Sequence, residues 1–287
     1  MTLKQMIPWW SKIAGKIVLS RLPAGYRVWE RMGLFVHGAM DRPDYAWRVV
    51  TEHVARAGWA DLAGRVVVEL GPGDSLATAM IARALGAREV WLVDAGAFAR
   101  MDLAPYVRLA ALLRASGLTP PAVESFSGVQ QMLEACGARY ETTGLDALRR
   151  IPDHSVDLVF SQAVLEHIRL EEFDPLLVEM HRVLKPDGVA SHQIDLKDHL
   201  AASLNHLRFM EEVWESDFMT RSGFYTNRLR LGSIVARFHA AGFSTRIDDV
   251  RRWPAIPLPR RALAPPFRSL PDDELTVSQF DIVARPS

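Results

Sequence analysis

The sequence predicts an α/β fold on a mostly parallel sheet, and three stretches predict it. Val66-Val67-Val68-Glu69-Leu70-Gly71-Pro72-Gly73-Asp74-Ser75 is an apolar run entering a glycine turn, followed by a helical segment through Leu85 and a second apolar run, Val90-Trp91-Leu92-Val93-Asp94, closed by a carboxylate. Ile151-Pro152-Asp153-His154-Ser155 then turns into the apolar run Val156-Asp157-Leu158-Val159-Phe160-Ser161. Glu179-Met180-His181-Arg182-Val183-Leu184 reads as a helix that passes through Lys185-Pro186-Asp187-Gly188 into another strand. Apolar strands alternating with helical segments belong to a parallel sheet covered on both faces.

The elements follow in order. Residues 1–60 precede the first strand and read as a helical N-terminal cap or lid, with Ile7, Trp10, Ile13 and Ile17 on one helical face and Lys12 and Lys16 away from it. Those lysines interrupt any signal-peptide core, and no stretch approaches the roughly 20 apolar residues of a spanning helix. A basic, tryptophan-bearing helix also has the composition of one that lies on a membrane surface. Residues 61–287 form the main domain. Within it, residues 104–116 read as a helix, Thr119-Pro120-Pro121 as a break, 129–136 as a second helix and Tyr140-Glu141-Thr142-Thr143 as a short third strand. Gln162-Ala163-Val164-Leu165-Glu166-His167-Ile168 is the loop and helix start after the fourth strand. A helical insert is expected around residues 197–226, with one helix over 204–216 carrying Phe209, Met210 and Trp214. Arg228-Leu229-Arg230 opens a helix ending at Gly242, and residues 243–252 and 275–284 read as a final antiparallel pair. Pro254, Pro257, Pro259, Pro265 and Pro266 stiffen the loop between them.

The first glycine turn is the most informative site. Gly71 and Gly73 permit a tight turn and a close backbone approach, which a Cβ would obstruct. A dinucleotide fingerprint needs a small third residue where the helix meets the pyrophosphate, and Leu76 stands there. Asp74 and Glu69 suit a cation better than a phosphate, and Asp94 stands where an acid accepts both hydroxyls of a ribose. The plain alternative is a βαβ crossover with no ligand. At these residues the chain resembles the class I S-adenosylmethionine-dependent methyltransferases, whose first motif is commonly an acid followed by x-G-x-G. The post-strand segment at Ser161 to Ile168 and the Lys185-Pro186-Asp187-Gly188 turn extend the likeness. The resemblance implies a Rossmann-like seven-stranded sheet with helices on both faces and an antiparallel final strand. It also implies S-adenosylmethionine as cofactor and S-adenosylhomocysteine as product, held by Glu69, Gly71, Pro72, Gly73, Ser75, Asp94, Ala95, Ser161, Gln162, Ala163 and His167. Asp146 is the nearest match to the acid that receives the adenine amine, with a helix cap as its other reading.

Composition narrows the partner. Lys plus Arg and Asp plus Glu each total 34, so the basic footprint of a protein that tracks nucleic acid is absent. Cys136, the only cysteine, excludes a disulfide framework and fits a reducing cytoplasm. Enzymes that methylate DNA bases or glutamine amides typically carry Asn/Asp-Pro-Pro-Tyr/Phe after the fourth strand, where this chain has Ser161-Gln162-Ala163-Val164. C5-cytosine enzymes need a nucleophilic cysteine after proline, whereas Cys136 follows Ala135. What remains resembles the branch that methylates small molecules.

A hydroxyl acceptor needs a base or a metal. His192 and His199 are the candidate bases, with His37 a third from the cap. A strand end and a following turn could bring His192, Asp195 and His199 together on a divalent metal, but their spacing matches no recognised metal motif, so no metal is expected. Asp195, Arg228 and Arg230 are candidate acceptor-binding residues, the arginines as a carboxylate clamp. The expected function is methylation of a small molecule, a sugar or natural-product hydroxyl. N- or S-methylation of an amino acid or amine is the alternative within the class, and a non-catalytic cofactor-binding subunit the alternative outside it.

Overall fold

The computed structural model describes residues 40–198 and 201–287. The expected amphipathic helix around Ile7 to Ile17, and the candidate bases His37 and His199, lie outside those residues. Seven strands form one sheet: β1 Val66–Leu70, β2 Glu89–Val93, β3 Ala138–Glu141, β4 Val156–Gln162, β5 Leu184–Asp195, β6 Phe243–Arg252 and β7 Val277–Pro286, in the spatial order β3-β2-β1-β4-β5-β7-β6. β3, β2, β1, β4 and β5 run parallel, and β7 is antiparallel to both of its neighbours.

All of β1 is buried, as a central strand covered on both faces must be. Alternate side chains feed two cores. Val67, Val90, Leu92, Leu158, Phe160 and Val189 pack under α1 (Pro43–Arg56), α2 (Ala77–Ala84), α3 (Ala104–Ala115) and α4 (Val129–Cys136). Val66, Val68, Trp91, Val159, Ala190 and Ile282 pack with α5 (Leu145–Arg149), α6 (Leu170–Val183) and α7 (Leu231–Ala240). Cys136 lies in the first core, where burial pushes its thiol up to about 12.

Several elements depart from the sequence reading. The last part of the segment expected to be a cap is α1, which starts on Pro43 with Asp44 in its first turn. Its Ala46, Val49, Val50 and Val54 are core residues, so α1 is a layer of the main domain. β3 lies two residues early because Gly137, at φ 62, caps α4 and turns the chain directly into the strand. The Lys185-Pro186-Asp187-Gly188 turn bulges out of β5: Leu184 pairs with Val156, and the next pair is Val189 with Leu158.

The insert is not one helix. A 3-10 turn at Asn205–Arg208 and a helical turn at Glu211–Trp214 flank the extended residues Phe209 and Met210. The break lets Trp214 reach a small core with Met219, Phe224 and Tyr225, against which Phe209 packs, and Trp214 Nε1 donates to Thr226 O at 2.7 Å. Tertiary packing outweighs the weak preference of so short a segment for one continuous helix. The proline-rich segment folds over Leu204, Leu207, Leu263 and Leu275. Among the described residues, no helix is long and apolar enough to cross a membrane.

Candidate active site

The strand order reverses between β1 and β4, and an open sheet of this kind binds its ligand outside the carboxyl ends at that reversal. Gly71 and Gly73, with φ of 68° and 63°, carry the chain out of β1. A Cβ on Gly71 would come within 2.5 Å of Val164, so its missing side chain makes room for the loop after β4. Asp94 bridges the turn: Oδ2 accepts the Gly73 N–H at 3.0 Å and Oδ1 the Ala95 N–H at 2.7 Å. Gly71, buried Pro72, Gly73, Asp94 and Ala95 are thus one hydrogen-bonded unit.

Beside it, Glu69 Oε2, Ser75 Oγ and Thr78 Oγ1 are buried without a hydrogen bond of full geometry, although Thr78 lies against the Glu69 carboxyl and Ser75 against the Tyr106 hydroxyl. Leaving such an atom unpaired costs about 1–3 kcal/mol, and their clustering at the end of β1 marks a place where a polar ligand or water belongs. Burial, followed by the nearby Asp94 charge, pushes the Glu69 carboxyl up to about 8. A cation arriving there would favour the ionised form. These residues therefore fit a positively charged ligand that carries a ribose.

The β4 end holds a second group. Ala163 adopts a positive φ of 55°, a conformation of the kind that concentrates at functional sites. Its N–H donates to Gln193 O at 2.9 Å. Gln162 faces α1, and His53 Nε2 lies 3.2 Å from its Oε1. Glu166, 2% exposed, accepts the Asp195 N–H through Oε1 at 3.3 Å, while its Oε2 is buried without a partner. Burial, with the Asp195 charge also contributing, raises its carboxyl well above the usual range. Glu166, His53 and Gln193 were not singled out in the sequence reading. Only the placement of Glu166 and Gln193 beside strand ends offered a signal.

Other expected residues are engaged within the protein. His192 is fully buried on the α6 and α7 side, with Nδ1 2.8 Å from Ser161 Oγ and Nε2 3.2 Å from Met180 Sδ. Burial pulls its imidazole down to about 3. It is a core histidine that occupies Ser161, and it does not face an acceptor. Arg230 precedes α7 instead of opening it, and donates to the carbonyls of Leu196, Glu274 and Val277. Arg228 donates to Phe209 O and lies over the Trp214 and Phe267 rings. Both arginines are buried inside the protein, so the carboxylate clamp is not formed. Asp146 lies in the first turn of α5 and pairs with Arg149 on the surface at 2.9 Å. His167 Nδ1–H donates to Tyr225 O at 2.9 Å, and Asp195 Oδ1 pairs with Lys197 at 2.9 Å. The open grooves lined by Arg88, Glu89 and Arg139 lie at the amino ends of β2 and β3, away from this edge.

A methyltransferase-domain family model matches residues 124–191, from the approach to α4 into β5. No curated protein matches the sequence. Among solved structures, an S-adenosylmethionine-dependent methyltransferase from Mesorhizobium loti is 18% identical over 80% of this chain and 94% of its own, with a TM-score of 0.45. The 1,6-didemethyltoxoflavin-N1-methyltransferase of Burkholderia thailandensis, solved with 1,6-didemethyltoxoflavin and S-adenosylhomocysteine, is 16% identical over 97% and 89%, with a TM-score of 0.47. Phosphoethanolamine N-methyltransferase 2 of Haemonchus contortus, solved with S-adenosyl-L-methionine, is 16% identical over 84% and 52%, with a TM-score of 0.46. These likenesses are distant, and assignment rests on the family match together with the order of the sheet and the acidic glycine turn at its reversal. On that ground residues 124–191 match a methyltransferase domain, and the chain resembles the class I S-adenosylmethionine-dependent methyltransferases.

Proposed function

We propose that the protein transfers the methyl group of S-adenosylmethionine to an oxygen of a small molecule, a sugar or natural-product hydroxyl. The observation that carries the cofactor half is the cluster of buried polar atoms Glu69 Oε2, Ser75 Oγ and Thr78 Oγ1, whose hydrogen bonding within the protein is incomplete, beside Asp94. The bound cofactor supplies an electrophilic methyl group on a sulfonium. The chain fixes the two reactants at a set separation and receives the acceptor's proton. Asp94 offers lone pairs to the ribose hydroxyls, and Glu69 compensates the positive charge. Glu166 takes the proton, because its raised carboxyl stands beside Asp195 at the end of β5. Residues 201–226 of the insert are assigned as a wall of the acceptor site. Its end is tied to the turn after β4 by Asn227 N–H to Glu166 O at 2.7 Å and by the His167 bond to Tyr225. N-methylation of an amino acid loses its support with the burial of Arg228 and Arg230.

Incubation with radiolabelled S-adenosylmethionine and a panel of sugars, phenols and amines tests this reading. Label is expected in an oxygen-linked methyl group. Cofactor binding with no turnover across the panel would favour the non-catalytic alternative. A second test uses pH. Glu69 has a folded value of about 8 against an ordinary 4.5, so the ligand-free fold loses stability as pH rises from the unfolded carboxyl's range through about 8. A cationic ligand reverses that preference, and its binding expels a proton below pH 8. S-adenosylhomocysteine, which keeps the ammonium, is therefore expected to bind more tightly as pH rises toward 8 and then level off. Calorimetry in two buffers of different ionisation enthalpy should show the proton release, and Glu69→Gln should abolish both effects. A pH-independent affinity in the wild type would remove Glu69 from the site.

A further inference from the structure

Under α1 a row of polar side chains crosses the sheet toward the carboxyl ends of β4 and β5. His53, fully buried, places Nδ1 2.8 Å from Ser191 Oγ and Nε2 3.2 Å from Gln162 Oε1. Gln162 Nε2 donates to Gln193 Oε1, its partner in the β4–β5 register. Directly opposite Gln193 in the β5–β7 ladder is Asp281, whose Oδ2 pairs with Arg56 of α1 at 2.7 Å. The Gln193 amide also touches the Asp281 carboxylate, though Oδ1 lacks a full hydrogen bond.

The direction of this row is fixed from one end. A carboxylate accepts and does not donate, so Gln193 turns its N–H toward Asp281 and leaves its oxygen for Gln162. Gln162 then gives its N–H to Gln193 and leaves its own oxygen for His53. Burial and the Arg56 charge hold His53 neutral; its single N–H must be on Nε2, and Ser191 O–H donates to Nδ1. The reverse order would set the Gln193 oxygen against Asp281, two acceptors without a proton between them. Gln162 and Gln193 are half-buried, whereas His53, Ser191 and Asp281 are buried. Each carboxamide nitrogen keeps a second N–H, and both amides stand at the edge where an acceptor must lie.

We propose that Gln162 and Gln193 form a donor pair that selects an acceptor presenting an oxygen lone pair at the methylated position, and that His53 and Asp281 are positioning residues that hold the amides in this sense. The proposal rests on reading this edge as the methyl-transfer site. It restricts the acceptor to hydroxyl, phenolate or carboxylate oxygen and excludes an ammonium group.

Nitrogen-15 spectra of the full chain test both parts. His53 is expected as the Nε2–H tautomer in the wild type. Asp281→Asn, whose amide can donate, should let the row reverse and populate the Nδ1–H form. In the protein loaded with S-adenosylhomocysteine, acetate should shift the side-chain NH2 signals of Gln162 and Gln193 while methylammonium leaves them in place. Gln162→Glu should weaken acetate binding about tenfold, as expected for losing a donor to an anion. An Nδ1–H tautomer in the wild type, or no tautomer change in Asp281→Asn, overturns the positioning role. Acetate leaving the amide signals unmoved, or methylammonium moving them equally, overturns the donor pair. Failure to bind S-adenosylhomocysteine at all would instead sink the methyl-transfer reading, and the tautomer result would stand apart from it.

Discussion

Asp94→Ala is expected to weaken S-adenosylhomocysteine binding by one to a few powers of ten, measured by titration calorimetry. Two hydroxyl hydrogen bonds to a charged group are lost, each worth about 1.5–3 kcal/mol. The substitution also removes the acceptors of the Gly73 and Ala95 N–H groups, so the glycine turn itself should loosen. Asp94→Asn separates the two effects, since its remaining oxygen can still accept one of those N–H groups while the charge is gone. If Asn binds like the wild type and only Ala fails, Asp94 acts through the shape of the turn. Unchanged affinity in both variants would place the ribose elsewhere.

Glu166→Gln is expected to lower kcat by about 10²–10⁴, the usual contribution of a positioned base, with S-adenosylhomocysteine affinity nearly intact. Glutamine keeps an oxygen for the Asp195 N–H, which preserves the tie between the β4 turn and β5. The pH profile is a separate readout. A base works deprotonated, so the wild-type rate should fall as pH drops through the raised Glu166 value. The glutamine variant should lose that limb. Should it keep both the rate and the profile, the proton goes to His37 or His199, or the acceptor has none to lose.

The sheet and the cofactor turn were legible because their signals are local. Four apolar residues and a glutamate before Gly71, a carboxylate at the end of the next apolar run, and an amphipathic stretch ended by Gly137 each lie within one turn or one strand. Such patterns fix an element wherever it is placed. Helix boundaries at α3 and α4 followed for the same reason. The long insert helix did not, because Phe209 and Trp214 satisfy a cluster whose other members come later in the chain.

The roles of the polar residues were not legible, and the reason is sequence distance. The sequence offers His192 as a candidate base at a strand end, but α6 and α7 cover that face and Met180 and Phe238 close over the ring. The two arginines looked like a clamp until the carbonyls that occupy them were in place. His53 meets Gln162 across 109 residues, and Arg56 meets Asp281 across 225. The sequence by itself determined the strand order's local units, the acidic glycine turn and Asp94, since backbone conformation and apolar burial are decided by neighbouring residues. Tertiary structure alone decided which histidine is core, which carboxyls are buried and which amides stand at the carboxyl ends of β4 and β5. Desolvation and hydrogen-bond direction depend on what the rest of the chain brings alongside.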